Sequence, residues 1–145
     1  MSTRTSAAGA VATANEPILL REQAEGICTL TLNRPAQYNT LSEAMLAELQ
    51  QALDEIAKDT SIGVVVLAAR GKAFCAGHDL KEMRRRPEQA YYEDLFARCS
   101  RLMLSITRLP QPVIARVQGV ATAAGCQLAA TCDLAVASEA AGFGT

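Results

Sequence analysis

The fold is decided by the run VVVLAA at residues 64–69, joined through Arg70 to GKAFCAGHDLKEM at residues 71–83. The first run is uncharged and rich in β-branched residues, which predicts a strand covered on both faces. Beyond it the chain turns at Ala76-Gly77, where small side chains leave backbone N–H groups open to a ligand. Charged residues from Lys81 onward then take the chain away from the buried strand. The stretch therefore predicts a buried strand with a ligand-binding turn beyond its carboxyl end.

The same turn carries a family motif. Residues 73–83, AFCAGHDLKEM, resemble the first signature of the enoyl-CoA hydratase/isomerase (crotonase) superfamily, which is roughly A-F-x-A-G-x-D-[IL]. Residues 112–128, PVIARVQGVATAAGCQL, resemble the second signature and stand in the expected order. The resemblance runs from about residue 18 to residue 145, and two ordered signatures make it specific. The strings at 77–82, 123–128 and 132–138 are similar to one branch in particular, that of enoyl-CoA hydratase domain-containing protein 3.

Composition argues against several classes of function. A net charge of −1 and only 4% aromatic residues give no reason to expect a nucleic-acid partner. No apolar run approaches the roughly 18 residues that a membrane helix needs. One histidine makes a His-based metal site improbable, and five cysteines without a C-x-x-C pair indicate reduced, buried thiols in an intracellular protein. We expect no metal and no cofactor except coenzyme A as part of the substrate, as the resemblance implies.

Strand and helix patterns alternate along the chain. This alternation predicts an α/β fold with mostly parallel strands and crossover helices, to which the resemblance adds a partial crotonase-like ββα spiral. Ser42 is the predicted N-cap of the first helix, and Pro87 is predicted to open a long second one. The predicted strands cover 18–22, 27–32, 63–68, 113–117 and 134–137, and the predicted helices about 42–59, 87–108 and 123–131.

The chain divides into two parts. Residues 1–15 are rich in Ser, Thr and Ala, which predicts a disordered tail, and residues 16–145 form the N-terminal part of a crotonase-like domain by resemblance. Family domains are longer than this chain and assemble, which implies a homotrimer or a dimer of trimers at full length. The expected location is the cytoplasm of a bacterium. The mitochondrial matrix is the alternative, because a mitochondrial presequence also avoids acidic residues, as this tail does. Such presequences are rich in arginine, however, and the tail has only Arg4.

Backbone donors carry the predicted chemistry. The resemblance places one N–H donor on His78, after Ala-Gly in A-G-x-D, and the second on Ala124, before Gly125. Two N–H groups, one of them at a helix N-terminus, suit an oxygen that gains negative charge. For an acyl-CoA thioester they would polarise the carbonyl and stabilise an enolate. Either turn alone would be a tight packing point, and His78 is assigned its backbone N–H only.

The resemblance also supplies binding residues. Ala76, Asp79, Leu80 and Lys81 flank the first donor and are implied to line the acyl-CoA pocket. Arg34, in the family's N-R-P element, is a candidate phosphate contact, and a solvated loop arginine is the equally supported alternative.

The acid and base residues depart from the family. Relatives with hydratase activity have a glutamate three residues after the second donor, where this chain has Gln127. An amide can orient water or bind substrate, but it has no usable pKa for proton transfer. The second family glutamate falls past residue 145. Glu139 is predicted to lie in a surface loop, and Glu82 is either at the pocket mouth or simply solvated.

Three functions follow from these observations. The first is an acyl-CoA-binding protein, nominally an enoyl-CoA hydratase/isomerase acting on 2-enoyl-CoA thioesters. The second, motivated by Gln127, is a non-catalytic acyl-CoA binder or trimer partner. The third is a nucleotide-binding α/β module, which the lack of G-x-G-x-x-G disfavours.

Overall fold

The structure is a computed structural model that describes residues 15–145. Apart from Asn15, the tail predicted for residues 1–15 lies outside the described residues. The strands are β1 Leu19–Ala24, β2 Ile27–Leu32, β3 Val64–Ala69, β4 Ala73–Cys75, β5 Val113–Val117, β6 Val120–Thr122, β7 Leu134–Ala137 and β8 Gly142–Gly144. The helices are α1 Glu43–Ile56, α2 Leu80–Arg85, α3 Gln89–Arg108 and α4 Ala124–Thr131, with a short 3₁₀ turn at Pro35–Gln37.

A five-stranded sheet forms the centre of the molecule. Its strand order is β1-β2-β3-β5-β7; β1 runs antiparallel to β2, and every other pair is parallel. Glu25 and Gly26 make the β1–β2 turn with φ of 52° and 78°, which closes the predicted hairpin. The α/β fold class with parallel strands and crossover helices is therefore confirmed.

A second, three-stranded parallel sheet, in the order β4-β6-β8, was not predicted. Each of its strands has three residues, which is too short to show an alternating pattern. The chain therefore does not pass from β3 straight to the turn at Ala76-Gly77. It first makes β4, and this short strand carries the turn away from the central sheet.

The helices α1, α3 and α4 each bury one face, whereas α2 buries none of its residues. Ser42 caps α1, since its Oγ accepts a hydrogen bond from the Met45 N–H at 3.1 Å, as predicted. The long helix predicted to open at Pro87 is α3, which begins at Gln89 with Glu88 as its N-cap. The short helix α2, with Asp79 as its N-cap, precedes it and was not predicted. Apolar side chains from β2, α1, β3, α3, β5 and α4 meet in the interior: Leu30, Leu49, Leu53, Val65, Leu67, Leu102, Ile106, Val113 and Leu128.

One side of the molecule exposes apolar strands. Among the described residues β7 pairs only with β5, and all four of its residues are exposed. Leu134 and Val136 are 63% and 64% exposed, and Phe143 of β8 is 54% exposed. Across residues 15–145, no helix has both the length and the hydropathy that crossing a bilayer requires.

Candidate active site

The turn after β4 lies directly on the N-terminus of α4. A Cβ added to Gly125 would stand 2.0 Å from the carbonyl oxygen of Cys75, so only glycine allows this approach. A Cβ added to Gly77 would stand 3.3 Å from the backbone nitrogen of Ala124, and the φ of Gly77 is +93°. The two glycines therefore bring His78 and Ala124, the predicted donors, to one place.

Pairing with the chain before α1 sets the direction of the His78 peptide. The Leu41 N–H donates to the Gly77 carbonyl at 2.7 Å, and Leu41 and His78 form a parallel bridge. The Gly77 carbonyl therefore faces Leu41, and the N–H of His78, which is trans to that carbonyl in the same peptide, faces the opposite way. No hydrogen bond to another described residue occupies this N–H. It is available to a ligand.

The second donor belongs to a helix start without a side-chain cap. Ala123 precedes α4 with φ 51° and ψ −126°, and its N–H donates to the Gly144 carbonyl at 2.9 Å. Ala124 is the first helical residue, and no bond to another described residue occupies its N–H. Orphan N–H groups of a first turn, backed by the helix dipole, favour negative charge. The arrangement is chemically suited to an oxyanion.

The predicted pocket residues have different positions. Ala76 is tied into the turn, its N–H donating to the Tyr38 carbonyl at 3.1 Å. Asp79 caps α2, its Oδ1 accepting from the N–H groups of Lys81 and Glu82 at 2.9 and 3.2 Å. Leu80 is 63% exposed. The side chain of Lys81 is exposed as well. The structure thus gives Asp79 a capping role that sequence reasoning did not assign.

Arg34 lies at an open polar cavity beside the turn. Asp79 and Glu82 line the same cavity, together with Thr40 and Ser42. Two carboxylates in this lining oppose the binding of an anion, which weakens Arg34 as a phosphate contact. Its backbone N–H, in contrast, donates a hydrogen bond to Asn39 Oδ1 at 2.8 Å.

Glu82 is neither a free solvated residue nor a group reaching into the donor pair. Its Oε2 accepts a hydrogen bond at 2.9 Å from the N–H of Glu43, the first residue of α1. Glu82 therefore satisfies an orphan donor of α1 and joins α2 to it.

Gln127 lies one turn into α4. It is three residues after Ala124, so both project from similar faces of the helix. Its N–H donates to the Ala123 carbonyl at 3.1 Å, and its own carbonyl accepts from Thr131 Oγ1 at 2.7 Å. The side chain is exposed in the part of the chain that is described. No acid takes its place within α4.

The His78 ring packs against α3. Its centroid lies 5.3 Å from that of Phe96, with an angle of 67° between the rings, and Nδ1 is buried without a partner among residues 15–145. Burial lowers the pKa of His78 below its ordinary value of 6.5, and the Leu41 backbone opposes this shift. The lowered pKa favours the neutral form of the imidazole. Sequence reasoning missed Phe96, because nothing near His78 in the chain indicates which helix will cover it.

This burial predicts a measurable titration. In the folded chain, the C2 proton of the sole histidine should titrate in NMR with a midpoint below 6.5. The unfolded chain then binds a proton more readily, so the contribution of His78 to stability is complete above 6.5 and is lost as the pH falls through the lower, folded value. His78→Gln should remove that contribution. A midpoint at or above 6.5 would contradict the burial of the ring.

Burial keeps two of the cysteine thiols protonated. All five cysteines are free. Burial raises the pKa of Cys75 to about 11 and that of Cys132 to about 12, so these two are protonated at neutral pH. Among the described residues, no three His, Cys, Asp or Glu side chains cluster as a metal site would require.

Comparison with known proteins identifies the family of this chain. The enoyl-CoA hydratase/isomerase family model matches residues 22–145. Enoyl-CoA hydratase domain-containing protein 3 of Xenopus laevis, mitochondrial by its name, is 43% identical over 129 residues, which are 89% of this chain and 44% of that protein. The crystal structure of an enoyl-CoA hydratase from Mycobacterium smegmatis superposes with a TM-score of 0.87 at 65% identity, over 88% of this chain and 50% of that one.

A human structure supports the same branch. Human enoyl-CoA hydratase domain-containing protein 3 superposes with a TM-score of 0.85 at 43% identity, over 89% of this chain and 51% of that one. The chain thus spans about half the length of these relatives. The chain belongs to the enoyl-CoA hydratase/isomerase (crotonase) superfamily, with its similarity on the branch of enoyl-CoA hydratase domain-containing protein 3.

Proposed function

We propose that this chain binds an acyl-CoA thioester and holds its carbonyl oxygen between the N–H groups of His78 and Ala124. The observation that carries the proposal is the contact of the two turns. Gly77 and Gly125 allow backbone to lie on backbone there, and both donors remain without a partner among the described residues.

Such donors act on the charge that develops during reaction. As an enolate forms, negative charge moves onto the thioester oxygen, and two preorganised N–H groups stabilise it more than they stabilise the neutral carbonyl. Loss of one such donor typically lowers kcat about a hundredfold or more. The nominal reaction is hydration or isomerisation of a 2-enoyl-CoA, with coenzyme A present only as part of the substrate.

Gln127 supports a second candidate, a non-catalytic acyl-CoA binder. Hydration needs a group that moves protons, and an amide at the family's glutamate position cannot do so near neutral pH. Within α4 no other acid replaces it. In this case the two N–H groups would still bind and polarise the thioester without turning it over.

The discriminating experiment is an ultraviolet titration of the protein with crotonoyl-CoA. Polarisation by the two donors should shift the enoyl-thioester band to longer wavelength. A shifted and stable band supports the binder, whereas a band that decays with time supports hydration. A band that neither shifts nor decays, in a folded protein, would contradict both.

A substitution tests the role of Gln127 directly. Gln127→Glu should introduce or increase hydration if only the acid is missing, while Gln51→Glu, an exposed change on α1, should leave the spectrum unchanged. If Gln127→Glu gains no hydration activity, the hypothesis of a non-catalytic binder stands. Robust turnover by the unaltered chain would exclude that hypothesis.

Assembly and location are further parts of the proposal. Homotrimers or dimers of trimers remain the proposed states of a full-length protein. The animal relatives are mitochondrial by name, which supports the matrix for this chain, while the bacterial cytoplasm stays a prediction without that support. Sedimentation and fractionation of the source cells would test these two points.

A further inference from the structure

We propose that Asn39 is the positioning residue for the His78 donor, an inference that rests on the proposed function. Asn39 does not touch the place where the thioester oxygen would lie. It acts by holding the backbone segment 38–41 against which the turn at 76–78 is laid.

The side chain of Asn39 is fully buried and bonded at both ends. It is 0% exposed. Its Nδ2 donates to the carbonyl oxygens of Arg70 and Ala73 at 2.8 and 2.9 Å, and its Oδ1 accepts from the Arg34 N–H at 2.8 Å. The amide thus joins the loop before α1 to both ends of the link between β3 and β4.

The backbone on either side of Asn39 holds the donor turn. Ahead of it, the Tyr38 carbonyl accepts from the Ala76 N–H at 3.1 Å. After it, the Leu41 N–H donates to the Gly77 carbonyl at 2.7 Å. The first bond holds the start of the turn, and the second holds the peptide that carries the His78 N–H, so together they bracket the turn and fix the direction in which this N–H projects.

The segment needs support to keep its shape. Tyr38 and Asn39 both have φ of 52°, in the left-handed region that is strained for most residues other than glycine. Asparagine tolerates this region better than most residues, and here its amide is also bonded in place. Without the amide bonds, relaxation of this pair would draw the Tyr38 carbonyl away from Ala76. A donor that moves by about 0.5 Å or turns by 10–20° loses much of its effect on an oxyanion.

The test pairs Asn39→Asp with Gln111→Glu. Gln111 is also buried, 7% exposed, and its Nε2 donates to the carbonyls of Ile56 and Asp59 at 2.8 and 3.2 Å, away from the donors. Each change replaces an amide nitrogen that serves two backbone carbonyls with an oxygen. Both variants should lose similar stability in urea unfolding. Only Asn39→Asp should abolish the long-wavelength shift of crotonoyl-CoA.

Hydrogen exchange gives a readout that needs no ligand. The amide protons of Ala76 and Leu41 take part in the two bracketing bonds, so Asn39→Asp should speed their exchange about tenfold or more relative to Gln111→Glu. Equal exchange in the two variants, or an unchanged crotonoyl-CoA shift in Asn39→Asp, would overturn the positioning role. If the aspartate variant does not fold, Asn39→Gly removes the amide without adding charge and tolerates the positive φ.

The experiments distinguish a failure of the proposed function from a failure of the positioning role of Asn39. An unaltered chain that gives no crotonoyl-CoA shift contradicts the proposed function, and the exchange of Ala76 and Leu41 then decides alone whether Asn39 holds the turn.

Discussion

Gly125→Ala is expected to lower the free energy of unfolding by about 2 kcal/mol or more, and to abolish the shift of bound crotonoyl-CoA. The new Cβ would stand 2.0 Å from the oxygen and 2.6 Å from the carbonyl carbon of Cys75. These are backbone atoms, so the clash cannot be relieved by a rotamer change, and overpacking of this kind typically costs 1–3 kcal/mol or more. The helix propensity of alanine returns at most about 1 kcal/mol. The turn must therefore move off α4, which separates His78 from Ala124.

Gly142→Ala is the matched control for this prediction. A Cβ at Gly142 would meet nothing within 4 Å, and its φ is not positive, so its stability should change by no more than about 0.5 kcal/mol. Urea unfolding of both variants measures the contrast. A Gly125→Ala protein as stable as Gly142→Ala would show that the turn and the helix do not lie in contact.

Leu128→Ala is expected to cost about 2–5 kcal/mol, the usual range for a buried leucine. Leu128 is 0% exposed and packs with side chains of β2, β3, β5, α1 and α3. It is the side chain that ties α4 to the main core. Its loss should loosen the helix that presents Ala124 as well as destabilise the fold.

Leu104→Ala gives the control for the core prediction. Leu104 also lies inside a helix, α3, but is 47% exposed, so the same chemical change should cost less than about 1 kcal/mol. Comparison of the two urea midpoints then isolates burial from helix propensity. Similar losses at both positions would place Leu128 outside the core.

The central sheet could be predicted from the sequence because its strands have a recognisable composition. The run at 64–69 is apolar and β-branched, and the leucines of α1 recur with helical spacing. The second sheet was missed because strands of three residues are too short to show an alternation of apolar and polar side chains. The short helix α2 was missed because its residues, charged and without a buried member, resemble a solvated loop.

The two donors were predicted from motifs, whereas their supports were not. A motif fixes residue types along the chain, and the contacts of Asn39 with Arg70 and Ala73 join residues far apart in sequence. Asn39 was assigned no role from the sequence. Its buried amide and left-handed backbone become evident only when the β3–β4 link is in place.

The hydrogen bond from Thr122 Oγ1 to the Ala76 carbonyl joins residues 46 positions apart along the chain. Ribosomes add about 5–20 residues per second, so the turn carrying His78 leaves the ribosome several seconds before α4 can meet it. During that interval β4 has no partner strand from β6, and its apolar residues are open to chaperones. The proposed pair of donors can therefore form only after α4 has emerged from the ribosome, later than the turn that carries His78.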